Sequence, residues 1–236
     1  MAVWLLLMFL VSATASMPGL QRVLVMFGGS ENGYIQVICY VAFVYAFLDL
    51  RGMSGSLRKE FGGFELNILP EEDQLVLTPE EVADIKLQVI DIEKKGVVYM
   101  LSDFIKKVCT QYRNDQSVAE TLHVMEVQIE NTREEMEGNL SNVRYFNTAI
   151  MSLGFIGTLI GLSSAIGNAH LAKTEEGMPI LTSYLNAAFD TTLVALVLGL
   201  VLNYMYNDYL ELMDKYYSKS KRYIVDNLIS RIYKAS

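Results

Sequence analysis

Apolar residues are concentrated in four blocks along this 236-residue chain, with polar stretches between them. The two longest blocks cover about residues 145–169 and 180–207 and are joined by a short polar turn. No charge lies between Arg144 and His170, and none lies from Thr191 to Asn207. A helix needs ~20 residues to cross a bilayer, at a rise of ~1.5 Å per residue. Both blocks are therefore predicted to be transmembrane helices, and residues 145–207 to be the core helix pair.

The two long blocks carry polar side chains inside their apolar runs. Thr158 lies in the first block, and Asp190, Thr191 and Thr192 lie in the second. Polar groups are unfavourable in hydrocarbon and tend to face a bundle interior or a water path. A threonine hydroxyl can instead bond to the carbonyl one turn back in its own helix. Asp190 is either an interfacial acid that reaches water or an acid that attracts cations to a conduction path.

Three glycines give the first long block a face without side chains. Gly154, Gly157 and Gly161 recur at intervals of three and four residues, and the last two form a GxxxG step. Without side chains, helix backbones approach closely and associate through van der Waals contact. These glycines are predicted to be helix-packing residues, with Thr158 beside their face.

The two shorter blocks make up the N-terminal region, residues 1–50. The first, about residues 2–17, is either a retained membrane span or a cleaved signal peptide. Ala13-Thr14-Ala15 fits a cleavage site, but the basic segment of a signal peptide is missing. Glycine-rich residues 18–33 follow and are predicted to form a loop or a broken helix. The second block, about residues 34–50, is short for a span.

Basic residues follow the second block, precede the third and follow the fourth, and the positive-inside rule places all three positions in the cytoplasm. Residues 51–144 are then a cytoplasmic domain, and residues 208–236 a cytoplasmic tail. The 51–144 stretch holds 18 acidic and 11 basic residues, a net charge of −7. Nucleic acid favours basic surfaces, so this balance argues against it as a partner.

Helix signals divide the predicted cytoplasmic domain. Its first part, with Gly52, Gly55, Gly62 and Gly63, is predicted to be loop-like. Thr78, Pro79 and Glu81 form a capping box with proline in the first turn, which predicts a helix running to Gly96. A second helix is predicted from Val97 to about Arg113.

A heptad-like seam predicts that one helix runs from Gln116 to Gly167 without interruption. A similar seam after residue 207 predicts that the fourth block continues as an amphipathic helix through residues 208–236. The two helices either pack only on each other or belong to a ring of subunits with a collar of helices below the membrane. The predicted fold class is an all-α integral membrane protein whose long helices extend into the cytoplasm.

Residues typical of catalytic or metal sites are scattered. His123 and His170 are isolated, and Cys39 and Cys109 have no metal-like spacing. No nucleotide-binding or nucleophile motif occurs. We therefore expect no enzyme activity, no bound metal and no cofactor.

The core helix pair resembles the MotA/TolQ/ExbB proton-channel family. LGFIGTLIGL, from Leu153 to Leu162, holds Gly154, Gly157 and Thr158 in the family's Gly-x-x-Gly-Thr pattern. AFDTTLVALVLGLVLNYMYN, from Ala188 to Asn207, holds the second threonine, Thr192, and the closing Tyr-Asn. The chain departs from the pattern at Met151, near the usual proline, and at Ala187, where some members have glutamate.

The resemblance implies a subunit of an ion channel or motor in the bacterial inner membrane. Such proteins form a homo-oligomeric ring, typically a pentamer, around a MotB/TolR/ExbD-like single-span protein with a membrane aspartate. Thr158 and Thr192 would line the ring interior, with Thr191 and Asp190 as further ion-pathway residues. The transported cation is H+ or Na+, and the driven machine, such as a flagellar stator or a protein-transport complex, is left open. A non-conducting membrane scaffold is the alternative.

Overall fold

The computed structural model describes residues 34–70, 76–96, 98–174 and 177–232. The predictions for residues 2–17 and 18–33 lie outside these ranges. The described residues are helical apart from short connections and one isolated bridge between Leu77 and Ile232. Three helical stretches are long and apolar enough to cross a membrane: Tyr34–Leu66, Val118–Gly167 and Gly177–Arg231. The predicted fold class, an all-α membrane protein with long helices, is confirmed.

Six α-helices follow one another along the described chain: α1 (Tyr34–Glu60), α2 (Pro79–Lys94), α3 (Met100–Asp115), α4 (Val118–Asn139), α5 (Ser141–Gly167) and α6 (Gly177–Asn227). Short 3-10 helices occur at Phe61–Leu66, Ala169–Lys173 and Ile229–Arg231. The fourth apolar block and the first part of the predicted 208–236 tail thus form one helix of 51 residues that ends at Asn227, and residues 233–236 lie outside the described ranges.

The prediction of a loop after residue 50 was wrong. Helix α1 continues through Gly52 and Gly55 to Glu60, and Gly62 lies in the 3-10 helix that follows. Glycine inside a helix costs ~1 kcal/mol relative to alanine. The segment also carries Leu57, which is 1% exposed. Burial of such a side chain contributes ~1.5–3 kcal/mol, enough to offset the glycine cost.

The predicted helix from Gln116 to Gly167 is observed as one helical stretch, Val118–Gly167, with a single-residue irregularity at Leu140. Helix α4 starts after Ser117, whose hydroxyl accepts from the Glu120 N–H at 3.3 Å. At Leu140 the backbone N–H bonds to the Glu137 carbonyl at 3.1 Å, a tighter turn than an α-helix makes, and α5 begins at the next residue. Leu140 is fully buried at this point.

The chain divides into two compact units. The described parts of Met1–Leu50 and Ser141–Asn207 form the first, the apolar unit, and the described parts of Arg51–Leu140 and Asp208–Ser236 form the second, the polar unit. Within the apolar unit α1 packs on α5: the Cys39 thiol donates to the Ile150 carbonyl at 3.9 Å, and the rings of Tyr45 and Phe146 are 4.9 Å apart. The apolar unit therefore joins α1, α5 and the first part of α6.

The polar unit has its own core. Helix α2 begins as predicted with the Thr78 capping box, in which the Thr78 N–H donates to Glu81 Oε2 at 2.7 Å. Helix α3 covers most of the predicted Val97–Arg113 helix and buries one face. The same unit contains an aromatic cluster in which the rings of Phe61 and Phe64 pack on Tyr216. The Lys219 ammonium lies 4.2 Å from the Phe64 ring centroid. Amphipathic helices with apolar faces thus supply the core of this unit.

Candidate functional site

Glycines bring α5 and α6 into close contact within the apolar unit. Gly154, Gly157 and Gly161 are buried on one face of α5. A Cβ added to Gly154 would lie 3.3 Å from Thr192 Cα, and one added to Gly161 would lie 2.8 Å from the Tyr184 carbonyl oxygen. Neither side chain would fit without movement of the neighbouring helix. The glycine face therefore packs directly on the α6 backbone.

Small residues of α6 face these glycines. Ala188 Cβ lies 2.6 Å from the position of a Cβ on Gly161, and Ala195 Cβ is in contact with that of Gly154. Ala188 and Ala195 are both buried. Positions 188, 191 and 195 are spaced as one helix face, so the close approach extends over two turns of α6.

The hydroxyls of Thr158 and Thr192 meet between the two helices. Their Oγ1 atoms are in hydrogen-bonding contact. Thr192 also donates to the Gly154 carbonyl of α5 at 2.9 Å, and Thr158 lies 3.2 Å from the Ala188 carbonyl of α6. The two threonines, 34 residues apart in sequence, thus form one polar cluster of hydroxyl and carbonyl oxygens.

The hydroxyls of this cluster have more acceptors than protons. Each threonine has one O–H proton and two lone pairs. The Thr158 hydroxyl has three acceptors within reach. They are the Thr192 hydroxyl, the Ala188 carbonyl and the Gly154 carbonyl, which lies 3.3 Å away. Both threonines are partly exposed in the single chain. The pair can therefore turn a lone pair to a cation or its water, or a proton to a carboxylate, with its carbonyl bonds as the alternative.

Thr191 lies elsewhere in the helix contact. It is 5% exposed, its hydroxyl donates to the Ala188 carbonyl at 2.9 Å, and its side chain covers Gly157. The structure therefore places Thr191 as a packing side chain next to the Thr158–Thr192 pair. Its contribution to an ion pathway stays a prediction.

Asp190 is also buried, at 6% exposure. It lies two positions before Thr192, about 200° around the helix at ~100° per residue. The carboxylate therefore leaves α6 on a different face from the Thr192 hydroxyl. A role for Asp190 in attracting cations stays a prediction.

A cavity of about 180 Å³ lies beside the glycine face, between the start of α1, α5 and α6. Its lining combines small and hydroxyl-bearing residues: Tyr34, Ile35, Gly157, Ile160, Gly161, Ser164, Tyr184, Ala187 and Thr191. Ala187, at the position where some members of the resembled family have glutamate, is part of this wall. The chain thus has free space where a longer acidic side chain would lie.

Sequence reasoning missed a polar group at the other end of the helix pair. The Arg144 guanidinium donates to the Tyr206 hydroxyl at 2.8 Å, and Asn147 lies one turn further along α5. The available signal was spacing, because positions 147, 154 and 158 share one face of α5 with Arg144. Across the described ranges, no group of three His, Cys, Asp or Glu side chains is placed to hold a metal ion.

Comparison with protein families identifies one match. Residues 98–221 match the model of the MotA/TolQ/ExbB proton channel family, which includes all of α5 and most of α6. The match covers 124 of 236 residues, more than half of the chain. No curated protein and no solved structure matches the chain. The family is one of transport proteins and not a class of enzymes.

Proposed function

The chain belongs to the MotA/TolQ/ExbB proton channel family, and from this premise we propose that it is a subunit of an ion-driven motor in the bacterial inner membrane. Copies of the chain assemble as a ring, a homopentamer, around the span of a MotB/TolR/ExbD-like partner. The polar unit and the C-terminus lie in the cytoplasm. Basic residues at the ends of the apolar segments support this orientation.

The observation that carries the proposal is the Thr158–Thr192 pair. Two hydroxyls meet within a glycine-packed helix pair, and both residues are partly exposed. Thr191, which packs on Gly157, is 5% exposed, whereas Thr158 and Thr192 are each partly exposed. The exposed side of the pair is available to a group from outside the chain, and a ring would direct that side to its interior.

In the proposed cycle the partner supplies the titrating carboxylate. A cation from outside neutralises this carboxylate, which lets the partner span turn within the apolar ring. The Thr158–Thr192 pair hydrogen bonds to the carboxylate when it is charged and accepts from the cation's water as it leaves. One charge moving down the field supplies ~2.3 kcal/mol per 100 mV. That energy drives stepwise rotation of ring against partner.

The test is ion flux through the purified complex in liposomes. Thr158→Val and Thr192→Val keep side-chain shape and remove the hydroxyls, so flux is expected to fall to background while the ring stays assembled. Thr182→Val is the matched control, since the exposed Thr182 hydroxyl bonds to the Met178 carbonyl of its own helix. Wild-type flux in the double valine variant contradicts the proposal.

The scaffold alternative makes the opposite prediction. A scaffold that uses only packing is indifferent to Thr158→Val and Thr192→Val. It fails to assemble with Gly157→Leu, because the added side chain would enter space occupied by Thr191. Measuring assembly and flux on the same variants separates the two functions.

A further inference from the structure

The side-chain oxygen of Asn147 is buried and accepts no hydrogen bond from any residue in the described ranges. A buried amide oxygen without a donor costs ~1–3 kcal/mol, so native proteins normally provide one. Leucine or methionine at this position of an apolar helix would avoid the cost. The position of Asn147 therefore points to a ligand that donates a hydrogen bond.

Asn147 opens into a small cavity between α5 and α6. The cavity has a volume of about 50 Å³ and is lined by Val143, Arg144, Asn147, Leu202, Asn203 and Tyr206. Four of these six residues carry polar side chains. A polar cavity of this volume has room for water, which needs two to four hydrogen-bonding partners. The site therefore has both the space and the polar groups that a bound water requires.

The cavity lies in line with the threonine pair. Asn147 is 7 residues from Gly154 and 11 from Thr158, so all three share one face of α5. At ~1.5 Å per residue, Asn147 is ~16 Å along the helix from Thr158, toward the end that carries Arg144. Gly199 of α6 faces Asn147 across the helix pair. A Cβ at Gly199 would lie 3.5 Å from Asn147 Oδ1, so glycine keeps the space next to this oxygen open.

The charge of Arg144 restricts what the cavity can hold. The Arg144 guanidinium lines the cavity and hydrogen bonds to Tyr206. A metal cation in the same cavity would be repelled by this charge, and an anion would meet the lone pairs of Asn147 Oδ1. Water can donate to Asn147 and accept from Asn203 or Arg144. A neutral donor is therefore the ligand that fits.

We propose that Asn147 binds a water molecule in this cavity, and that this water is an inner station for the proton that the partner's carboxylate releases at the threonine pair. The inference rests on the proposed function. The incoming proton binds the water oxygen, and one of the water's own protons leaves on the inner side, so the water is regenerated. The water beside Arg144 carries the added charge only during the transfer. A metal cation would have to rest in the cavity itself, so this site supports the proton as the transported ion.

The experiment compares two isosteric substitutions in the complete complex in liposomes. Asn147→Leu removes the acceptor, and Asn147→Asp keeps an acceptor at the same atom. Asn147→Leu is expected to lower proton flux about tenfold, the rate equivalent of one lost hydrogen bond. Its thermal stability is expected to be unchanged or higher, because an unpaired buried oxygen is removed. Asn147→Asp retains most of the flux.

Ser152→Ala is the control for α5, because the exposed Ser152 hydroxyl bonds to the Thr148 carbonyl of the same helix. A second readout is water-to-protein magnetisation transfer in solid-state NMR, which should reach the Asn147 side-chain amide and be absent in a site without water. Wild-type proton flux in Asn147→Leu, or no transfer to this amide, overturns the inference. The Thr158 and Thr192 variants decide the proposed function separately, because they do not alter this cavity.

Discussion

The Thr192 hydroxyl donates to the Gly154 carbonyl on the neighbouring membrane helix at 2.9 Å. The same hydroxyl touches Thr158, and the Thr192 residue is partly exposed. The glycine makes this bond possible, since a Cβ on Gly154 would crowd Thr192 Cα and Ala195 Cβ. Close packing and an accessible hydroxyl are therefore produced by the same helix contact.

This bond is expected to contribute little to folding. Hydrogen bonds between membrane helices average ~0.6 kcal/mol, because the unfolded chain in the membrane also finds partners. Thr192→Val should therefore lower the free energy of unfolding by less than ~1.7 kcal/mol, as measured by unfolding in mixed micelles. Thr192→Ser retains the hydroxyl and should match the wild type more closely. A larger loss of unfolding free energy in Thr192→Val would show that Thr192 is a structural residue. A loss of ion flux in this variant could then result from a damaged fold.

Gly157→Ala should be clearly destabilising. The new Cβ would lie 2.7 Å from Thr191 Cβ and in contact with its hydroxyl, and Thr191 is buried with little freedom to move. Overpacking of this kind costs ~1–3 kcal/mol. Gly52→Ala is the control, since a Cβ there meets nothing within 4 Å and alanine favours helix by ~1 kcal/mol. Unfolding of the two variants in mixed micelles should shift in opposite directions, and equal shifts would refute the close helix contact.

The helices and the small-residue face could be predicted because their signals are local. Runs of apolar residues, the Thr78 capping box and the spacing of Gly154, Gly157 and Gly161 are all visible in the sequence. The helix through Gly52 and Gly55 was missed because burial of Leu57 overrides a local propensity. Packing between distant segments decides such cases, and sequence alone does not give it.

The candidate site could be predicted only in part for the same reason. The family pattern pointed to Thr158 and Thr192, but their mutual contact depends on how α5 and α6 pack. Thr191 and Asp190 are neighbours of Thr192 in sequence, yet a helix turns ~100° per residue and directs them to other faces. Asn147 carries no motif, and only the cavity and its unpaired oxygen distinguish it.

Loss of the α2 cap should destabilise the polar unit. The Thr78 hydroxyl accepts from the Glu81 N–H at 3.3 Å, while the Glu81 carboxylate accepts from the Thr78 N–H. These bonds lower the pKa of Glu81 below its usual value. Thr78→Ala is expected to cost ~1 kcal/mol, and Thr78→Ser should cost less because serine also caps. Denaturant unfolding of the full chain measures both, and an alanine variant as stable as wild type would contradict the capping role.

The Cys109 thiol should be unreactive while the protein is folded. It is 1% exposed in the core of the polar unit, and burial raises its pKa to about 12. In a Cys39→Ser background, maleimide should label Cys109 only as the polar unit unfolds, while an exposed Leu87→Cys control labels at once. Because the pKa of Cys109 is raised in the folded state, the unfolded thiol ionises first. The free energy of unfolding should therefore fall as pH rises above the unfolded thiol pKa of ~8.5. Cys109→Ala should remove that part of the alkaline dependence.

The ion pair between Glu126 of α4 and Lys221 of α6 should control the titration of Glu126. The Lys221 ammonium donates to Glu126 Oε1 at 2.6 Å, and this hydrogen bond, followed by the charge of Lys221, lowers the pKa of Glu126. Lys221→Gln is therefore expected to raise that pKa toward the usual glutamate value, as measured by carbon-13 NMR of the Glu126 carboxyl. Glu211, paired with Lys215 at 2.6 Å on α6, is the control and should not shift.

The same pair gives a pH dependence with a defined sign. Because the pKa of Glu126 is lowered in the folded state, its contribution is present above the unfolded pKa and is lost as pH falls through the folded pKa. The stability difference between wild type and Lys221→Gln should shrink as pH falls from about 6 to about 3. Both side chains are about half exposed, so the difference is small and should fall further in high salt. A difference that grows on acidification would show that Lys221 acts through packing and not through its charge.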